Sequence, residues 1–156
     1  MNKKINIHFV CEGNTFRSRL AEAYLRSKHV DATVTSSGVK AAKNYNGPIT
    51  IYSKNIAKNE NIEKYLAPSW TQTTKELIEK QDLVIFMNKK YYNFCTNDLH
   101  CTIKEYLIWD IPDVFDYPNS DAKDYADKVK IYTENAHKSY QKIKKNIYSL
   151  IIKEAL

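Results

Sequence analysis

Residues 9–25 read FVCEGNTFRSRLAEAYL, and this stretch decides the fold. The apolar run INIHFV, residues 5–10, has the length and character of a buried strand. It ends on Cys11. From Ser18 to His29 the segment SRLAEAYLRSKH places Leu20, Ala21, Tyr24 and Leu25 on one helical face. A strand that turns into a helix across a short loop begins an α/β unit. Ligands of such folds bind beyond the carboxyl ends of the strands, which is where Cys11 falls.

Further along, ATVTSSG at 32–38 reads as a second strand ending in a turn. ITIYSKNIAKNE at 49–60 reads as a helix entered after an NGP turn. TQTTKELIEKQ at 71–81 reads as another, with Thr71 or Thr73 available as N-cap. DLVIFM at 82–87 is the clearest buried strand, and EYLIWDI at 105–111 a weaker fourth. IPDVFDYPNS, from residue 111, is a loop bounded by Pro112 and Pro118. From Asp121 the larger apolar residues fall at Tyr125, Val129, Tyr132, Ala136, Tyr140, Ile143, Ile147 and Leu150. Steps of three and four make this one long helix packing on the sheet. The stripe is rich in tyrosine, which weighs against a coiled coil. The pattern predicts one three-layer α/β domain over residues 1–156. It has a four-stranded, mostly parallel sheet with helices on both faces.

Composition narrows the function. The chain has 156 residues, 43% of them hydrophobic, enough for a core without disulfide staples. The apolar run after the first lysines is too short for a signal peptide, and no stretch reaches membrane-span length. A cytoplasmic protein is expected, a monomer or weak dimer. Three cysteines, Cys11, Cys95 and Cys101, argue against a disulfide framework and leave room for a reactive thiol. The net charge of +6 suits an anionic partner. No clustered basic and aromatic patch points to nucleic acid. His8, His29, His100 and His137 show no metal-ligand spacing. Neither a metal nor a cofactor is expected. The only arginines are Arg17, Arg19 and Arg26, all in or just after the opening stretch. A guanidinium grips a tetrahedral oxyanion through two bonds at once.

The loop from Cys11 to Arg17 has the makings of an anion nest at a helix N-terminus. Gly13 allows a tight backbone turn, and Asn14 tolerates left-handed geometry. In that field a cysteine is expected to be a thiolate nucleophile. Arg17 can close over a phosphoryl group, and Ser18 can donate a hydrogen bond to the sulfur. Glu12, Thr15 and Phe16 complete the loop.

Cys11 to Ser18 fits C-x5-R-[ST], the signature of cysteine-dependent phosphatases. With Gly13, Asn14, Ser18 and the Ala21-Glu22-Ala23 triplet, the stretch resembles the low-molecular-weight protein tyrosine phosphatases. TSSGV resembles that family's S-x-G segment, which implies Ser37 as the residue holding Asn14. WDIPDVFDYP lies where the family keeps its general acid. The residues alone leave Asp110, Asp113 and Asp116 open. The resemblance favours Asp113, with Asp116 second, although Val114 replaces the family's proline and its stiffness. It also implies Tyr45 and Phe115 as aromatic walls of a substrate cleft.

Other departures concern the loop and its flanks. Phe16 stands where the family usually has a second cysteine, so peroxide is expected to drive Cys11 to sulfenic and higher acids. Arg19 replaces a proline and Asn88 an aspartate. The implied function is hydrolysis of protein phosphotyrosine through a phosphocysteine, with a phosphorylated protein or peptide as partner and inorganic phosphate as product. Thr15 and Phe115 also fit relatives that hydrolyse phosphoarginine. A thiol-linked arsenate reductase using Cys95 and Cys101, or a non-catalytic phosphate binder, are weaker alternatives.

Overall fold

The computed structural model describes residues 3–156. Four strands, β1 (Ile5–Cys11), β2 (Ala32–Gly38), β3 (Leu83–Phe86) and β4 (Tyr106–Ile108), form one parallel sheet in the order β2-β1-β3-β4. The register sets Cys11 beside Gly38, Phe9 beside Ile85 and Ile85 beside Leu107. Every residue of β3 is buried, so both faces of the sheet are covered. Among the described residues five α-helices, with three shorter helical turns, complete the fold: α1 (Arg17–Arg26), α2 (Ile51–Asn59), α3 (Lys75–Glu79), α4 (Lys89–Asn93) and α5 (Tyr125–Glu154).

The second strand lies where its sequence predicts, end to end. The third helix is shorter than expected, and its N-cap is Thr74, whose hydroxyl accepts from the Leu77 N–H, rather than Thr71 or Thr73. The long helix packs against α1 and α2, and its last turns, with Asn146 and Leu150, lie beside Leu107 of β4. Its buried face runs from Asn135 to Leu150. Tyr125 (82% exposed) and Val129 (46%) continue the stripe beyond the surface that could cover them. Among the described residues no helix is long and apolar enough to cross a membrane.

The core holds a histidine. His8, on β1, is wholly buried between Thr35 Oγ1 on Nδ1 and Ser37 Oγ on Nε2, 2.7 Å each. Burial holds its pKa down to about 3. Below pH 6.5 the unfolded chain takes up this proton and the folded chain does not, until about pH 3. Stability is therefore lost as pH falls through that window, by about 2 kcal/mol between pH 7 and pH 5. Urea unfolding at the two pH values should show this loss, and His8→Leu should remove it. An undiminished loss in the variant would contradict the assignment.

Candidate active site

The loop between β1 and α1 lies at the carboxyl edge of the sheet. Phe16 precedes α1 without any side-chain cap, and no acidic residue sits in the first turn. The helix's free N–H groups are thus left for an anion. The left-handed turn falls on Asn14 (φ 55°) and not on Gly13.

Every polar group of Asn14 is engaged. Its backbone N–H points at Cys11 Sγ (3.3 Å), and its Nδ2 donates to Ser18 Oγ (2.7 Å) and Ser36 Oγ (2.8 Å). Its Oδ1 accepts from the Thr71 N–H at 2.9 Å. The serine that holds Asn14 is therefore Ser36, not Ser37. Neighbouring strand residues face opposite ways, and Ser37 points to His8 and Thr73 on the other side of the sheet. Ser36 in turn donates to Glu22 Oε2 (2.9 Å), and Glu22 is paired with Arg26 at 3.0 Å. Burial pushes the Glu22 carboxyl up, against the pull of Arg26 and Ser36. The triplet around Glu22 was legible as a motif. Its part in bracing the loop was not.

Ser18 Oγ lies 2.9 Å from Cys11 Sγ. It accepts from Asn14, so its own hydrogen is free for the sulfur; the alternative acceptor, the Ser37 carbonyl, is farther at 3.4 Å. Gly38 passes beneath the loop so closely that a Cβ there would sit 2.6 Å from both Asn14 N and Glu12 O. Only glycine fits this crossing.

Arg17 is buried and points at the same place. It donates to the Ile111 carbonyl (3.0 Å), the Tyr91 hydroxyl (2.9 Å) and Asp113 Oδ2 (2.9 Å). Burial alone would lower its proton affinity; the charges of Asp113 and Cys11, with the hydrogen bond to Tyr91, outweigh burial and raise it. Tyr91 is pushed up, first by burial, and stays a phenol under the guanidinium. Nothing in the sequence marked Tyr91, because it reaches Arg17 from the helix after β3.

Of the three loop aspartates only Asp113 faces the cleft. Asp116 accepts from the Asp113 N–H (2.9 Å), and Asp110 takes a long bond from Asn88 Nδ2 (3.4 Å). Without proline at position 114, the loop is stiffened from α5. Ser139 Oγ donates to the Pro112 carbonyl (2.6 Å) and Asn135 Nδ2 to the Val114 carbonyl (2.7 Å). These two buried polar residues, four apart on α5, grip the carbonyls on either side of Asp113.

The cleft above Cys11 holds about 400 Å³. Glu12, Gly13, Thr15, Phe16 and Arg17 line its floor, and Tyr45 (78% exposed) and Phe115 (55%) stand at its mouth. Sequence reasoning missed Ile51, Tyr52, Lys128 and Tyr132, which also line the cleft. The Thr15 carbonyl is fixed by the Thr50 and Ser53 hydroxyls at 3.2 and 2.8 Å, and its own hydroxyl accepts from Asn46 at 3.4 Å. The three cysteines are unpaired. Among the described residues no group of three His, Cys, Asp or Glu could hold a metal ion. A cysteine sulfur under a helix N-terminus, with a guanidinium and a carboxyl above it, has the parts for nucleophilic displacement at an oxyanion centre.

Known proteins share this fold. The family model for low molecular weight phosphotyrosine protein phosphatase matches residues 6–149. The protein-arginine-phosphatase of Bacillus subtilis (strain 168) is 33% identical over 124 residues, covering 72% of this chain and 79% of that protein. Vibrio vulnificus Wzb, in complex with benzylphosphonate, shares the fold with a TM-score of 0.76 at 22% identity, over 97% of this chain and 99% of that one. The YwlE arginine phosphatase from Geobacillus stearothermophilus superimposes with a TM-score of 0.66 at 21% identity, over 97% and 96% of the two chains. Loop, sheet order and matched length lead to one assignment: this chain belongs to the low molecular weight phosphotyrosine protein phosphatase family.

Proposed function

We propose that the chain removes phosphoryl groups from phosphorylated proteins through a phosphocysteine on Cys11. The observation that carries this reading is the Cys11 sulfur, 2.9 Å from the Ser18 hydroxyl, beneath an uncapped helix N-terminus and the Arg17 guanidinium. The thiolate attacks phosphorus in line. The amides of residues 12–17 and Arg17 hold the three equatorial oxygens, where charge spreads. Asp113 gives its proton to the leaving oxygen. The same carboxylate then takes a proton from the water that attacks the phosphocysteine, releasing inorganic phosphate. The Ser18 hydrogen bond supports the sulfur as nucleophile and again as leaving group. A phosphoryl group entering the loop competes with Asp113 for Arg17, which frees Oδ2 for this work. No cofactor enters.

Asp113→Asn tests the acid. It should cut kcat by about 10²–10³ with a poor leaving group, and by less with p-nitrophenyl phosphate, which needs little protonation. Steady-state kinetics on both substrates reads this. Unchanged turnover of the poor leaving group would move the role to Asp116.

The exposed aromatic walls, Tyr45 and Phe115, favour phosphotyrosine, whose ring they can stack. Two observations favour phosphoarginine instead. Thr15 places a hydroxyl in the cleft floor, and the 33% identical relative is a protein-arginine-phosphatase. Matched phosphotyrosine and phosphoarginine peptides at equal enzyme concentration separate the two. If arginine is the substrate, Thr15→Ile suppresses that activity alone. The unpaired thiols support a reducing compartment, and we place this single domain of residues 1–156 in the cytoplasm.

A further inference from the structure

Arg19 is buried on the far side of the loop from Arg17, and the catalytic scheme makes no use of it. Its Nη1 donates to the carbonyl of Asn14 (3.1 Å) and to that of Pro48 (3.0 Å), and its Nη2 to the carbonyl of Ala67 (2.5 Å). Three segments remote in sequence thus meet on one planar fork: the phosphate loop, the segment 44–50 and the segment near residue 67. Among the described residues no carboxylate bonds this guanidinium. Glu22, whose charge it feels, is bonded to Arg26 and Ser36, and Arg19 Nε has no partner among the described residues. A buried cation held only by carbonyls is a costly way to stabilise a fold. What it holds in place is specific. Segment 44–50 carries Tyr45 and Asn46 of the cleft, the latter bonded to the Thr15 hydroxyl, and it leads into Thr50, Ile51 and Tyr52 of the same wall.

We propose that Arg19 is a positioning residue that clasps segment 44–50 onto the phosphate loop, fixing the cleft wall that meets the protein part of the substrate. The inference rests on the phosphoprotein reading above. Its effect falls on recognition more than on the chemistry at phosphorus, because the fork reaches the phosphate loop through one carbonyl, that of Asn14, and ties it to the wall segment through that of Pro48 and to the segment near residue 67 through that of Ala67.

Three variants test it. Arg19→Met removes the fork and leaves the volume. Arg19→Pro removes it in the first turn of α1, where proline is tolerated. Arg19→Lys keeps a charge that cannot span three carbonyls. With Met or Pro, KM for a phosphopeptide should rise about tenfold, the loss of one charged hydrogen bond, while kcat with p-nitrophenyl phosphate falls by no more than about threefold. Lysine should restore part of the peptide KM. Amide hydrogen exchange over residues 41–50 should quicken in Met and Pro and partly recover in Lys. A peptide KM that keeps pace with the KM for p-nitrophenyl phosphate, or exchange over 41–50 unchanged in both Met and Pro, overturns the proposal. If the wild type turns over neither substrate, the phosphatase reading has failed. Hydrogen exchange still judges the clasp in that case, since it needs no activity.

Discussion

Cys11→Ser is expected to abolish turnover, by a factor on the order of 10⁶, as removal of an enzyme nucleophile commonly does. A serine hydroxyl at this place has no base to activate it. The groups around the sulfur are the Asn14 N–H, the Ser18 hydroxyl and the Arg17 guanidinium, and all of them stabilise an anion rather than accept a proton. The variant should still fold. Residue 11 is held by its backbone, with its carbonyl accepting from the Val39 N–H at 3.0 Å, and an oxygen is smaller than the sulfur it replaces. It should also still bind phosphate, because the loop amides and Arg17 remain. Stopped-flow assays with p-nitrophenyl phosphate and calorimetry with inorganic phosphate read the two halves of this expectation. Residual turnover within a hundredfold of wild type would mean that another group carries the attack.

The second large effect is at Arg17. Arg17→Lys keeps the charge, yet kcat should fall by about 10³, the scale of an arginine that stabilises phosphoryl-transfer charge. The reason is geometric. The guanidinium holds the Ile111 carbonyl and the Tyr91 hydroxyl with separate donors while facing the loop. An ammonium is a point charge on a floppy stem and cannot serve both anchors and a phosphoryl group together. It would leave the buried Ile111 carbonyl short of a donor, so a loss of stability of about 1–3 kcal/mol should accompany the loss of rate. Retention of kcat within tenfold would show that charge alone suffices at this position.

These predictions rest on residues that were legible at once, and the reason is locality. Cys11, Arg17 and Ser18 lie within one loop, so spacing along the chain is spacing in space. The second strand, 32–38, was equally clear because its pattern and its closing glycine are local. Error entered where one residue decides a face. Ser36 and Ser37 are both plausible neighbours of Asn14 by sequence, and only the pleat assigns them. Tyr91, Asn135 and Ser139 were invisible for another reason. Each acts on a partner more than 20 residues away, and none stands out in its own segment. Asn135 and Ser139 even interrupt the apolar stripe of α5, and two polar residues four apart on a buried face were the one signal the sequence offered. The same stripe misled at its start, since a hydrophobic period shows what a helix could bury and not how far its partner extends.

The two sides of the cleft are anchored very differently. One side is tied down through Arg19, Thr50 and Ser53. The other includes Lys128 and Tyr132, in the opening turns of α5, where the described helix buries nothing before Asn135. Those turns have the Asp124 cap and the half-buried packing of Tyr132, and helix ends with few tertiary contacts open at low free energy. Heat therefore acts on the cleft from one side. Fraying of α5 from its N-terminus widens the mouth while the floor stays intact, so warming should erode selectivity among large substrates well before it erodes the capacity to split a small aryl phosphate.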